Sequence, residues 1–597
     1  MSKKKNDKKR KQSAVKHSHY KGTVEITRSG MAFVTVENMQ RDVLVRPHHL
    51  NTALNGDIVE VSITKESNNG RNEGSITKII ERKQVEFIGR LQFQKHNVYF
   101  IPESDRPMPD IHIAADKTAG AQNNDKVVVK LIEWNKDKRL PEGEVLEIIK
   151  GENVNELAMK QLLLQGGFSL SFSDEAMEEA ARLPETIFKN EELKRKDFRG
   201  TLTFTIDPVD AKDFDDALSI KLLTNGLYEI GVHIADVSHF VEPGMKLDEE
   251  GYERATSVYL PDRVNPMLPE RISNELCALR PHEDKYTFSA VFQMSSKAEI
   301  KEVWLGRTII HSNHRYTYEE VQHIIETGQG LHSDEILLLN KLAQKMRKDR
   351  FKKGAINFSS QEVRFVLDEN KKPVGITVKE SKESHQLIEE FMLLANKYVA
   401  QYIGSIQVKD KPVPFPYRVH DTPDEEKLLP FISFAKKYGH KFDNSSPEKI
   451  AASFNQLLKD VQGKRTMAKA VYTAENIGHY GLGFEHYCHF TSPIRRYPDV
   501  IVHRILQQCL DGAPQIDKKM EQKCRHCSER ERAAMEAERA ANKYKQVEYM
   551  SEYLGEDFDG VVSGVASFGF WVETVEHKCE GLVSLFSISE LDDFRYI

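Results

Sequence analysis

The chain has 597 residues, 39% of them apolar and 29% charged, with a formal net charge of −6. That length spans about three to five domains, and no apolar run approaches the ~18 residues of a membrane-spanning helix. The acidic balance excludes a uniformly basic polyanion binder, so any affinity for phosphates must come from local patches.

The N-terminus is Lys-rich, with seven Lys or Arg and one Asp in residues 1–12. No apolar segment follows, so a secretory signal is not expected. Residues 1–19 read as a basic, disordered tail, equally a solubility segment or a transient nucleic-acid-contacting arm. From 20 to 83 the pattern is five short strands with Gly turns, at 22–27, 31–36, 42–45, 56–63 and 74–80. Five such strands suggest a small β-barrel. The pattern repeats over 84–150, with strands at 85–91, 97–102, 110–113, 125–131 and 143–149. Both units look like OB-folds of the cold-shock type. In that resemblance Phe33, and with less support Tyr99 and Phe100, occupy base-stacking positions; barrel core is the competing reading for each.

Residues 151–195 read as a charged helical connector. A mixed α+β region follows from 196, ending in a long charged helical stretch over 515–552. A further barrel opens at Gly560, and residues 553–597 hold about three strands of the five that closure needs. This last domain is therefore expected to be incomplete. The six cysteines are scattered, which fits a reducing cytoplasm better than a disulfide framework. Cys524 and Cys527 flank His526, but no second pair completes a structural zinc site.

The chemistry concentrates in 196–510. Asp207, Asp210, Asp213, Asp215 and Asp216 fall within ten residues. Carboxylates so crowded raise one another's pKa unless a cation neutralises them, and hard oxygen ligands suit Mg²⁺ or Mn²⁺. A solvated acidic loop would not need the interleaved Ile206, Phe214, Ala217 and Leu218. A calcium EF-hand loop begun at Asp207 or Asp213 would place Leu218 or Thr224 where its Glu belongs. Helix capping explains one Asp, not five. The segment 481–504 is dense in Arg, His and aromatics, and Arg495 and Arg496 suit phosphate recognition. Helix-terminal salt bridging is the bland alternative there.

Together, the aspartate spacing, His233–Val241 (HIADVSHFV), Ser257–Pro261 (SVYLP) and Phe490–Asp499 (FTSPIRRYPD) resemble the RNB family of 3′→5′ exoribonucleases, the ribonuclease II/R type. The resemblance covers most of the chain. It implies two N-terminal cold-shock-type OB barrels (20–83 and 84–150), a helical connector (151–195), a central α+β RNB catalytic domain (196–552) and a C-terminal S1-type OB barrel (553–597). It implies that Asp207, Asp213, Asp215 and Asp216 hold the metal, with Asp210 less certain, and that Asp215 and Arg495 act in catalysis. Tyr259 and Phe358 then stack on the terminal bases. Glu389, hard to separate from Glu390, contacts RNA near its 3′ end. Phe568, Phe570 and Trp571 belong to the S1 surface. The implied reaction is processive hydrolysis of single-stranded RNA to 5′-mononucleotides by Mg²⁺-assisted in-line water attack, with Mn²⁺ as a substitute. The implied protein is a cytoplasmic monomer acting alone or beside ribosomal or RNA-decay partners. Spacing by itself implies only metal plus phosphate chemistry. A non-catalytic OB-fold RNA chaperone and an endonuclease remain the alternatives.

Overall fold

The computed structural model describes residues 19–588 except 38, 40, 67–70, 96, 105, 136–139, 150–153, 186, 358–361, 424, 438 and 461–468. The basic tail through residue 18 and Phe358 lie outside the described residues. The chain divides into two units, Met1–Leu170 and Ser171–Ile597.

In the first unit, β1 (His19–Ile26), β2 (Ala32–Val36), β3 (Val43–Val45), β4 (Ile58–Lys65) and β5 (Glu73–Glu81) close in the order β1-β2-β3-β5-β4. The period-two pattern sets the inside: Val24, Ile26, Val34, Val43, Val59 and Val61 fill the barrel. β6 (Glu86–Gln94), β7 (Asn97–Pro102), β8 (Ile111–Ile113), β9 (Lys126–Glu133) and β10 (Glu142–Ile148) close in the same relative order. The two barrels of this first unit are thus tandem copies of one OB-type fold. Helix α1 (Val154–Gln165) seals the second copy, packing Leu157 and Leu164 on Ile88 and Val128.

The second unit begins inside the stretch read as a connector. Helix α2 (Asp174–Arg182) is N-capped by Ser173, whose Oγ accepts from Ala176 N at 3.2 Å. Its Ala176 and Ala180 join the large core of this unit. The stretch 151–195 is therefore shared: α1 belongs to the barrel unit and α2 to the mixed one.

That core surrounds a seven-stranded sheet. Its strands are β11 (Lys196–Asp197), β12 (Thr203–Asp207), β13 (Asp216–Leu222), β14 (Tyr228–Ala235), β17 (Asp284–Met294), β18 (Ile300–His311) and β19 (His314–Thr317), with a hairpin β15 (Val258–Leu260) and β16 (Arg263–Asn265) between β14 and β17. The spatial order is β11-β18-β17-β14-β13-β12-β19. All five residues of β12 are buried, because both faces of the sheet are covered. Helices α3 (Tyr318–Thr327), α4 (Ser333–Lys352), α5 (Glu383–Gly404), α6 (Tyr497–Leu510) and α7 (Met520–Met550) belong to the same unit. Phe391 of α5 and Phe288 and Phe292 of β17 are fully buried, each contributing about 2–3 kcal/mol of apolar transfer. Cys524 and Cys527 are buried, unpaired thiols of α7.

Several polar groups inside the sheet are paired. His233 lies between Ser289 Oγ (2.7 Å) and Ser219 Oγ (2.8 Å), so one imidazole ties β13, β14 and β17 together. Gly231 makes room for it: a Cβ there would lie 2.3 Å from His233 Nε2. Asp236 is buried between Arg195 (2.8 Å) and Arg307 (2.6 Å). Burial pushes His233 down to about 3 and His503 to about 4, Asp236 opposing the shift at His503. A base whose pKa falls on folding binds fewer protons when folded. The stability it contributes is complete above about pH 6.5 and is lost as pH falls toward its folded value. Each histidine should add about 1.4 kcal/mol of destabilisation per pH unit inside that window. Thermal melts of His233→Gln, which cannot titrate there, should show a flatter acid limb than the parent. An equal slope would remove His233 from this role.

The C-terminal strands β20 (Gly560–Ala566), β21 (Gly569–Thr574) and β22 (Glu580–Ser584) form an antiparallel sheet in sequence order that stays open among the described residues. This matches an incomplete OB-type domain. Among the described residues no helix is long and apolar enough to cross a membrane.

Candidate active site

The five aspartates sit on the connection between neighbouring antiparallel strands β12 and β13. Asp207 ends β12 and Asp216 opens β13, where it pairs with Ile234 of β14. The loop between them is pinned at its far end. Leu279 N donates to Phe214 O (3.0 Å), and Ala235 N to Asp215 O (2.8 Å).

Asp215 is 5% exposed. Its Oδ1 accepts from Ile494 N at 2.9 Å, and its Oδ2 has no hydrogen-bond partner. Arg495 Nε stands 3.6 Å from that Oδ2. Asp207 Oδ2 is likewise buried without a partner. Burial, then Asp216 and Asp213, push Asp207 up to about 8, against the pull of Thr205 and Arg315. Burial drives Asp215 well above the carboxylate range, although Arg495 and the Ile494 amide pull it down. Burial raises Asp216 to about 6, with Arg495 and Arg496 opposing. Asp213 is half-buried and accepts from Tyr259 Oη at 3.0 Å. Asp210 is exposed on the loop tip.

Buried carboxylates with unpartnered oxygens and raised pKa values are short of a positive charge. The donor set is all oxygen, as Mg²⁺ or Mn²⁺ requires. Among the described residues no three acidic, His or Cys side chains already converge as a finished cage. The loop offers donors that an ion would draw together. Its oxygen donors are of the chemical kind such an ion takes.

Arg495 arrives on the segment before α6. Ser492 N donates to Asp499 Oδ1 (2.8 Å), and Arg496 Nη2 donates to the same oxygen (2.8 Å), which fixes the turn. The segment pairs with residues 255–257: Tyr497 N donates to Ala255 O, and Ser257 N to Arg495 O. Arg495 Nη2 donates to Ser492 Oγ at 3.0 Å, and the side chain is 41% exposed. Tyr259, two residues beyond Ser257, is 38% exposed, and its backbone N donates to Glu538 Oε1 of α7 at 2.9 Å. Asp213, Asp215, Arg495 and Tyr259 therefore meet in one place.

The other expected residues divide. Glu389 of α5 is half-exposed, 3.4 Å from Arg347 and 3.2 Å from Arg350 of α4. Glu390 is buried and ion-paired to the same two arginines. Phe33 of β2 is partly exposed with Arg71 over its ring at 4.8 Å. Tyr99 is partly exposed, whereas Phe100 is fully buried in its barrel, so core packing explains it. Phe93 of β6, which the sequence pattern did not single out, is 41% exposed. Phe568 is exposed and meets Trp571 edge-on at 5.7 Å; Phe570 and Trp571 are half-buried on β21. Two more residues reach the carboxylates without having been expected. Tyr318 opens α3 behind a Thr317–Glu320 capping box, and burial with Asp216 and Asp207 pushes its hydroxyl up. Arg315 of β19 reaches the loop from the sheet edge. Nothing in the local pattern marks either, although both lie within four residues of the helix start at Thr317.

The RNB domain model matches residues 195–512, the ribonuclease B OB domain model 22–79 and the cold shock domain model 99–173. Ribonuclease R of Aquifex aeolicus is 33% identical over 96% of this chain and 83% of its own length. The structure of Mycoplasma genitalium RNase R in complex with ribose-methylated single-stranded RNA matches with TM-score 0.80 and 25% identity, over 96% of this chain and 93% of that one. Yeast Ssd1, described as a pseudonuclease, shares the fold with TM-score 0.66 and 19% identity, over 95% of this chain and 79% of that one. A shared fold therefore does not decide activity; the residues on it do.

Proposed function

Because the chain belongs to the RNB family of ribonuclease R-type exoribonucleases, we propose that Asp207, Asp213, Asp215, Asp216 and Arg495 form the hydrolytic centre of its processive 3′→5′ degradation of RNA. The observation that carries this reading is the pair of buried, unpartnered carboxylate oxygens on Asp207 and Asp215 beside a half-exposed arginine.

The reaction is hydrolysis. A water oxygen bonds to the phosphorus in line with the leaving 3′ oxygen. The P–O3′ bond breaks, leaving a 3′-hydroxyl on the strand and a 5′-phosphate on the released mononucleotide. A bound Mg²⁺, with Mn²⁺ able to replace it, supplies an activated water and neutralises charge on the phosphate. Asp207, Asp213, Asp215 and Asp216 would hold it. Arg495 offers the planar donor fork that suits a phosphate gaining charge. Ile494 N fixes one oxygen of Asp215 and leaves the other to the site. Tyr259 stacks on a terminal base, and its hydroxyl orients Asp213. Phe358 is assigned the second stacking position and Glu389 a contact near the 3′ end. The barrels, through Phe33 and the Phe568-Phe570-Trp571 surface, capture single-stranded RNA. Six unpaired thiols fit a cytoplasmic protein.

Tyr259→Ala should lengthen the residual end product and raise KM about tenfold, since one base–aromatic stack is worth ~1–3 kcal/mol. Tyr259→Phe keeps the ring and should keep the parental end product; denaturing gels of the final fragments read both. The assignment of the reaction is tested with linear and circular forms of one RNA in Mg²⁺. An exonuclease degrades the linear form and spares the circle. Cleavage of the circle would mean an endonuclease, and a mobility shift without products a binding protein.

A further inference from the structure

We propose that Arg315 is a positioning residue that ties the two legs of the aspartate loop together and so sets the metal-binding geometry; this rests on the aspartate cluster being the metal site. β19 runs parallel to β12, with Arg315 opposite Thr205 and Thr317 opposite Asp207. From that edge the guanidinium reaches the start of the loop. Its Nη2 donates to Pro208 O and to Val209 O, the latter at 2.9 Å. The same guanidinium lies over the ring of Phe214, 5.4 Å from its centroid, at the other end of the loop. One side chain therefore spans the strand exit at Asp207 and the return at Asp215.

Apart from Ala211, which packs partly buried against the core, the loop has little else to hold its tip. Val209 is 72% exposed, and Asp210 and Lys212 are exposed as well. A single turn hydrogen bond, Ala211 N to Pro208 O at 3.1 Å, closes the tip on itself. Pro208 and Val209 thus depend on the arginine for a tether to the sheet. The fork geometry matters, because a planar guanidinium can bridge two carbonyls and still lie on a ring. A lysine ammonium keeps the charge and loses that span. The charge alone would repel an incoming cation, so a purely electrostatic role predicts unchanged or tighter metal binding on its removal. A tether predicts weaker binding.

The test uses the full chain with Mn²⁺ alone, titrated by electron paramagnetic resonance, on the parent, Arg315→Ala and Arg315→Lys. Both variants should bind Mn²⁺ about 10- to 100-fold more weakly, the usual cost of losing a partner that orients metal ligands. RNA KM should stay near the parental value, and saturating metal should restore most of kcat. Trypsin should cut after Lys212 faster in both variants. Parental Mn²⁺ affinity in Arg315→Lys would reduce Arg315 to a charge and overturn the proposal, as would parental affinity in Arg315→Ala. If Arg315→Ala fails to fold, Arg315→Lys decides. A parent chain that binds no Mn²⁺ would instead overturn the metal reading itself, whatever the variants do.

Discussion

Asp215→Asn is expected to lower kcat by roughly a thousandfold or more while leaving the affinity for single-stranded RNA within about twofold. The two oxygens of Asp215 have different partners: one is held by Ile494 N, and the other is buried without a hydrogen bond, 3.6 Å from Arg495 Nε. Asparagine keeps the shape, but its neutral amide is a weaker ion ligand than a carboxylate and has no charge to balance Arg495. Stability should move the other way. Burial first, with Asp213 and Asp216, holds the Asp215 carboxyl well above the usual 3.8, outweighing Arg495 and the Ile494 amide. An acid with a raised folded pKa binds more protons when folded. The metal-free protein therefore loses stability as pH rises from about 4 upward. Asparagine removes that penalty. At pH 8 without metal the variant should melt no lower than the parent, and Mg²⁺ should stabilise the parent more than the variant. Near-parental turnover would remove Asp215 from the chemistry.

Arg495→Ala should cost about a hundredfold or more in kcat with a much smaller change in KM, the pattern of a contact made mainly in the transition state. Arg495→Lys should recover little of the loss, because the ammonium lacks the fork. The pH profile should move too. Arg495 pulls down the pKa of both Asp215 and Asp216. Without it the carboxylates ionise at higher pH, so the rising limb of activity shifts alkaline. A merely structural salt bridge would lower the melting temperature and leave kcat and the pH limb in place.

How much was legible in the sequence depends on how local each feature is. The barrels were, because alternating runs and Gly turns define strands within a few residues, and the two copies close in the same order. The aspartate cluster was, since five carboxylates in ten residues cannot be spread far apart. Its neighbours were harder. Glu389 and Glu390 are adjacent in sequence yet ~100° apart around a helix, and only packing of α5 on α4 shows that Glu390 is the buried one. Phe100 and Phe93 lie on paired strands of the same barrel, one inside and one exposed, a difference set by strand phase. Arg315 approaches the aspartates through strand pairing across 106 or more residues, and no periodicity announces such a contact. The connector divided because α1 and α2 each bury their apolar side against a different unit.

Hydrolysis of RNA by the carboxylates between Asp207 and Asp216 requires a bound divalent ion if they act as proposed. The most direct measurement is mononucleotide release from linear single-stranded RNA by the full chain in Mg²⁺, in excess EDTA, and after Mg²⁺ is restored. 5′-Mononucleotides are expected in the first condition, none in the second and recovery in the third. Release that continues at the same rate in EDTA would contradict the metal requirement.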